Sequence, residues 1–234
     1  MMGLLWGLLC CLAVIGLGRN VLGKTERSMS TAWAHAWCMG WLIWGLIGLL
    51  LAWTGLWNTT TAKFLVILSM LGWLRDPPTT PIPEKNWSLA WLGISLAMGF
   101  GLVDAIGPTW GADEQYIHVG LPLQIFQHAE LLGGVLHPNG SRPLTLQMVY
   151  GTAIASSSIN SAAIIHWINS VGLVVLMLQC SNFHLGSFRI GAVAASMLVA
   201  STTVQVASGQ AGSDLPAAFA VLVAMDAGLR ANPK

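Results

Sequence analysis

Apolar runs approaching the length of a bilayer recur along this chain, at 2–18, 31–53, 62–74, 88–108, 161–180, 188–207 and 214–229. A helix needs about 20 mostly apolar residues to cross the hydrocarbon core. Charged residues make up only 8% of the chain, against the ~25% usual in soluble domains. So few charges cannot cover a water-exposed surface, and an irregular backbone cannot satisfy its hydrogen bonds in lipid. The expectation is an all-α polytopic membrane protein of about seven spans, with 62–74 short enough to be tilted or only partly inserted. The net charge of +1 offers no basic stripe for a nucleic acid.

The proline-rich segment "RDPPTTPIPEKN" (75–86) is a break that no helix crosses. It divides the chain into an N-terminal group of helices with a cytoplasmic loop (1–86) and a membrane core (87–234). Orientation follows from the lysines and arginines, which favour the cytoplasmic side. With the N-terminus outside, Arg19, Lys24, Arg27, Arg75, Lys85, Arg189, Arg230 and Lys234 fall inside, and only Lys63 and Arg142 outside. This threading makes 109–160 a long exterior loop and 207–214 a short one. After Pro122 the long loop has the spacing of a helix lying on the membrane surface, and "LTLQMVYGTAIASSS" reads as a second interfacial segment.

The exterior loops gather the chemistry. Asp113 and Glu114 are adjacent, Tyr116 and His118 follow, and Asp214 closes the second loop. Neighbouring carboxylates repel unless a cation or a proton-transfer role compensates. Oxygen ligands of this kind suit a hard divalent ion such as Mg²⁺ or Mn²⁺, and a carboxylate at the membrane face also suits a general base. The competing reading is a helix cap, with Asp113 at the N-cap and Glu114 favourable to the dipole.

Several single residues carry two readings. His166 lies inside a span with Asn169 one turn on, which fits either a functional polar site or a helix–helix hydrogen bond. His35, in the tryptophan-rich second span, has the chemistry of an axial haem or chlorin ligand, but interfacial placement is the preferred reading. Cys10, Cys11, Cys38 and Cys180 form no CxxC and read as small buried hydrophobes. "NTT" at 58–60 and "NGS" at 139–141 match the N-glycosylation pattern, a short and common one.

Taken in order, "WGADEQYIHVGLP", "HPNGSRP", "AAIIHWINSVG" and "SDLPAAFAVLVA" resemble bacterial membrane glycosyltransferases related to protein mannosyltransferases, of the GT-C superfamily. The resemblance implies a GT-C-like fold in the bacterial inner membrane, a polyprenyl-phosphate sugar as donor and an exported acceptor. It implies Asp113 as the catalytic acidic residue with Glu114 beside it, and Asp113, Glu114 and Asp214 as holders of a divalent metal ion. Tyr116, one position away from the family's tyrosine-histidine adjacency, His118, Arg142 and His166 fall to substrate binding. Arg142, the one basic residue in 109–160, suits a phosphate contact. Relatives of this kind continue through further spans, so the chain corresponds to their N-terminal part. It is then a piece of an enzyme, an enzyme completed by an additional membrane subunit, or a non-catalytic subunit on a truncated scaffold. A small-molecule transporter lacks support, because no paired broken helices are visible.

Overall fold

The computed structural model describes residues 2–22, 29–74, 89–107, 114–128, 145–155, 160–201, 203–204, 207 and 211–231. Every regular element among them is helical: α1 (Met2–Leu22), α2 (Met29–Trp53), α3 (Thr59–Met70) extended by a 3₁₀ turn (Leu71–Leu74), α4 (Leu89–Ile106), a π-helical turn (Glu114–Gly120) running into α5 (Leu121–His128), α6 (Thr145–Ile154), α7 (Asn160–Leu185), α8 (Phe188–Ala200) and α9 (Asp214–Ala231). Each of the seven apolar runs carries a helix. Three of the helices, Gly3–Leu22, Thr31–Trp53 and Asn160–Leu185, are long and apolar enough to cross a membrane. That is compatible with an integral membrane protein.

Local chemistry sets the ends of the helices. Gly55 (φ 72°) turns the chain after α2, where the Leu56 N–H reaches back to the Leu51 carbonyl at 2.8 Å. Asn58 then opens α3: its Oδ1 accepts from the Thr60 and Thr61 N–H groups at 3.0 and 3.1 Å, and Thr61 Oγ1 accepts from the Asn58 N–H at 3.0 Å. This capping box gives the "NTT" motif a structural purpose. Gly186 (φ 63°) ends α7 in the same left-handed manner as Gly55. α8 stops at Ala200, where Ser201 turns extended, so the apolar run at 188–207 is not one continuous helix.

Contacts sort the helix ends into two groups. At one end the Ser161 hydroxyl donates to the Gly3 carbonyl at 3.0 Å, and Asn160 Nδ2 donates to the Ile106 carbonyl at 2.6 Å, joining the starts of α1 and α7 to the finish of α4. At the other, Arg19 lies over the Trp73 ring (4.7 Å), and Trp73 meets Trp33 edge-on (5.7 Å). This joins the last turns of α1 and the 3₁₀ turn to the start of α2.

α2 shows how a uniformly apolar helix chooses its inner face. Trp37, Trp41 and Trp44 are buried, while Leu42, Leu46 and Leu50 face outward. Lipid receives leucine as readily as a protein core does, whereas an indole N–H gains from a partner. Trp37 Nε1 donates to Asn169 Oδ1 and Trp44 Nε1 to Thr152 Oγ1, both at 2.9 Å. The Asn169 bond is a helix–helix hydrogen bond, one of the two readings its sequence position allowed.

α6, the segment expected at the interface, is covered by the protein itself: Met148, Tyr150, Thr152 and Ala153 are fully buried, and the helix packs against α2, α5 and α7. Its small and polar residues work because α2 and α7 supply their partners. α5 likewise turns Leu121 and Ile125 into the protein, against Trp57 and Met148.

α1 and α2 cross at their backbones. A Cβ at Gly18 would overlap the Ala36 carbonyl, and one at Gly40 would overlap the Val14 carbonyl. Because the obstacle is backbone, no rotamer change relieves it. Gly40→Ala is therefore expected to destabilise the protein by about 1–3 kcal/mol. Gly99→Ala, where a Cβ meets nothing within 4 Å, should leave thermal unfolding unchanged or slightly improved. Equal melting of the two variants would refute the tight crossing.

Candidate functional site

Four segments meet around the Tyr150 hydroxyl. α6 contributes Tyr150 and, one turn earlier, Gln147. The π-helical turn contributes His118, α7 contributes His166, and the stretch before α9 contributes Gly212. The hydroxyl lies 2.8 Å from His166 Nδ1 and donates to the Gly212 carbonyl at 2.7 Å, while the Gly212 N–H points at His166 Nδ1 at 3.2 Å. Gln147 Nε2 is 3.5 Å from His118 Nδ1, and the His118 and Tyr150 rings stand edge-on at 6.3 Å. Trp41 meets the tyrosine ring edge-on at 5.6 Å. Tyr150 and His166 are buried almost completely. Among the described residues, Gln147 Oε1 and Trp41 Nε1 are buried with no hydrogen-bond partner.

Asp214 begins α9 two residues after Gly212, and its side chain is exposed. A carboxylate in the first turn suits the helix dipole and leaves oxygens available to a ligand. Glu114 and Tyr116 are the first and third residues of the π-helical turn. Asp113 and Arg142 lie outside the described residues, and so does the separation between Asp113 and Asp214. The turn starts at the residue after Asp113, so the capping and catalytic readings of that carboxylate both stand. His166 Nδ1 is engaged by Gly212 and Tyr150, which ties the residue to the surrounding structure.

A second polar cluster occupies the far end of α7 and α9. Asp226, whose side chain is wholly buried, accepts from His35 Nε2 at 2.9 Å and lies 3.0 Å from His184 Nε2. Arg230 Nε donates to both carboxylate oxygens at 2.9 and 2.8 Å, and Cys180 Sγ is 3.4 Å away. Arg230 stacks over Phe183 at 3.8 Å. The His35 ring is buried, and its Nε2 is engaged by Asp226. Opposed charges and charge-assisted hydrogen bonds make burial of the carboxylate tolerable here.

Sequence reasoning passed over Tyr150 and Asp226. Each had a signal. Tyr150 is one of only two tyrosines, and Asp226 is a carboxylate in the interior of the last apolar run, one turn before Arg230. An acidic residue inside an apolar helix requires a partner, and the i,i+4 arginine is the nearest one.

Among the described residues, no group of three or more histidine, cysteine or carboxylate side chains is arranged to hold a metal ion. Fold and site together define an all-helical chain compatible with the membrane, carrying two buried polar clusters at opposite ends of α7 and α9. No protein-family model, curated protein or solved structure matches it.

Proposed function

We propose that this chain is a membrane glycosyltransferase of GT-C type, moving a sugar from a polyprenyl-phosphate donor to an exported acceptor at the exterior face. The observation that carries the reading is the convergence on Tyr150 of His118, His166 and the stretch leading to Asp214. Three separate motifs behind the resemblance thereby come together at one end of the bundle.

In this reading Asp113 accepts the proton of the acceptor hydroxyl as that oxygen attacks the sugar's anomeric carbon. The bond from that carbon to the phosphate oxygen breaks through an oxocarbenium-like state, and polyprenyl phosphate leaves. Arg142 contacts the phosphate, and His118 and Tyr116 line the sugar. Asp113, Glu114 and Asp214 are oxygen donors of the kind a hard divalent ion takes, Mg²⁺ or Mn²⁺. Bound there, such an ion would offset charge on the departing phosphate.

The seven helices then span the bacterial inner membrane with the N-terminus outside. The two groups of helix ends support alternating passage, and the eight-to-two lysine and arginine bias sets its direction. A cysteine at position 140 is expected to react with an impermeant maleimide in intact cells, and one at position 80 only after permeabilisation. Equal reaction of both in intact cells would refute this topology.

The functional test is transfer itself. The chain, in lipid nanodiscs and in native membranes where any additional subunit is present, is given polyprenyl-phosphate hexoses carrying a radiolabelled sugar. Label is expected to leave the lipid fraction for an acceptor. If the chain neither binds nor consumes the donor in either setting, the reading fails, and a non-catalytic subunit of a larger membrane complex takes its place.

A further inference from the structure

We infer that Tyr150 and His166 form a positioning pair that fixes the approach to Asp214, and that Tyr150 is the member whose hydroxyl closes the arrangement. Gly212 is gripped from both sides of its backbone: its carbonyl accepts from the Tyr150 hydroxyl at 2.7 Å, and its N–H points at His166 Nδ1 at 3.2 Å. The hydroxyl also lies 2.8 Å from Nδ1, but its single proton goes to the Gly212 carbonyl, while Nδ1 accepts from the Gly212 N–H. Two residues later the chain enters α9 at Asp214.

The grip comes from elements held elsewhere. α6 is locked to α2 by the Trp44–Thr152 hydrogen bond, and α7 by Trp37–Asn169. Trp41 and His118 meet the tyrosine ring edge-on, which restricts where its hydroxyl can point. α6 also follows the segment that carries Arg142. The pair therefore ties two parts of the exterior region, the end of the long loop and the start of α9, to a common point. In a buried setting a gripped backbone residue has few alternative partners, so losing one hydroxyl frees the segment rather than exchanging one bond for another. The catalytic half of this inference rests on the glycosyltransferase reading; the geometric half does not.

Tyr150→Phe tests it, because phenylalanine keeps the ring packing and removes only the hydroxyl. A spin label is attached at Ser213→Cys, with the chain lacking that substitution giving the background from the four native cysteines. In Tyr150→Phe the label is expected to become more mobile, while global melting stays close to that of the parent. Transfer should lose roughly 10- to 100-fold in kcat, as expected for a misplaced group, with KM for donor within about twofold. His166→Gln, whose amide oxygen can still accept from Gly212, should retain more of both properties than His166→Leu. An unchanged label in folded Tyr150→Phe overturns the inference whatever the activity. A mobile label with unchanged kcat overturns its catalytic half. A mobile label in a protein whose parent transfers no sugar upholds the geometric half and rejects the glycosyltransferase reading alone. If Tyr150→Phe does not fold, the Gln and Leu pair at His166 decides: equal mobility in both overturns the inference.

Discussion

Asp226→Ala is expected to be the most destabilising single truncation, at about 3–5 kcal/mol, because it removes one partner of a buried ionic cluster and strands the others. The substitution leaves Arg230 without its carboxylate and two imidazole nitrogens without their acceptor. Arg230 has some relief. It is partly exposed and stacked on Phe183, so its head can move outward along that ring. His35, on the inner side of the cluster, has none. The contrast that decides the case is Trp37→Phe, which removes one neutral interhelical hydrogen bond. Such bonds average about 0.6 kcal/mol in membranes, since the separated helices also find partners. Unfolding followed by fluorescence, in detergent with increasing denaturant, separates the two magnitudes. Asp226→Ala falling within the range of Trp37→Phe would show that the cluster holds α2, α7 and α9 together no better than a single hydrogen bond does.

The second large effect concerns activity. Asp113→Asn is expected to lower sugar transfer by about 10²–10⁴-fold, the usual contribution of a general base, while melting is unchanged. Asparagine keeps the shape and caps a helix about as well as aspartate. The substitution therefore separates the two readings of this carboxylate: a base loses its function, and a cap does not. The π-helical turn beginning at Glu114 makes the comparison necessary, because a cap at Asp113 would stand immediately before it. Parental transfer activity in Asp113→Asn would assign the residue to capping.

The two predictions differ in where their warrant arises. Asp113 could be singled out from the sequence because adjacent carboxylates are rare in so apolar a chain, and because the motifs around it resemble a known pattern. Asp226 was passed over, since what makes it important is a set of partners far away in sequence. His35 stands 191 positions before it, and His184 stands 42 before it. Likewise, His166 was noticed for being polar inside an apolar run, but its partners, Tyr150 and Gly212, were not.

By itself, then, the sequence determined the helices. Long apolar runs have only one way to satisfy their backbone in lipid, and local signals such as Asn58 and Gly186 mark where helices begin and end. What only the tertiary structure decided is which side of each helix faces inward. In water, the polar face of a helix announces its exterior. A helix apolar enough to cross a membrane has no such face, so Trp41 and Leu42 carry the same message in sequence although one is buried and the other exposed. The choice was made by close packing of small residues, as at Gly18 and Gly40, and by the few polar groups that had to meet: Trp37 with Asn169, Tyr150 with Gly212, and His35 with Asp226. Those meetings are pairwise and distant, and no window of sequence contains both members.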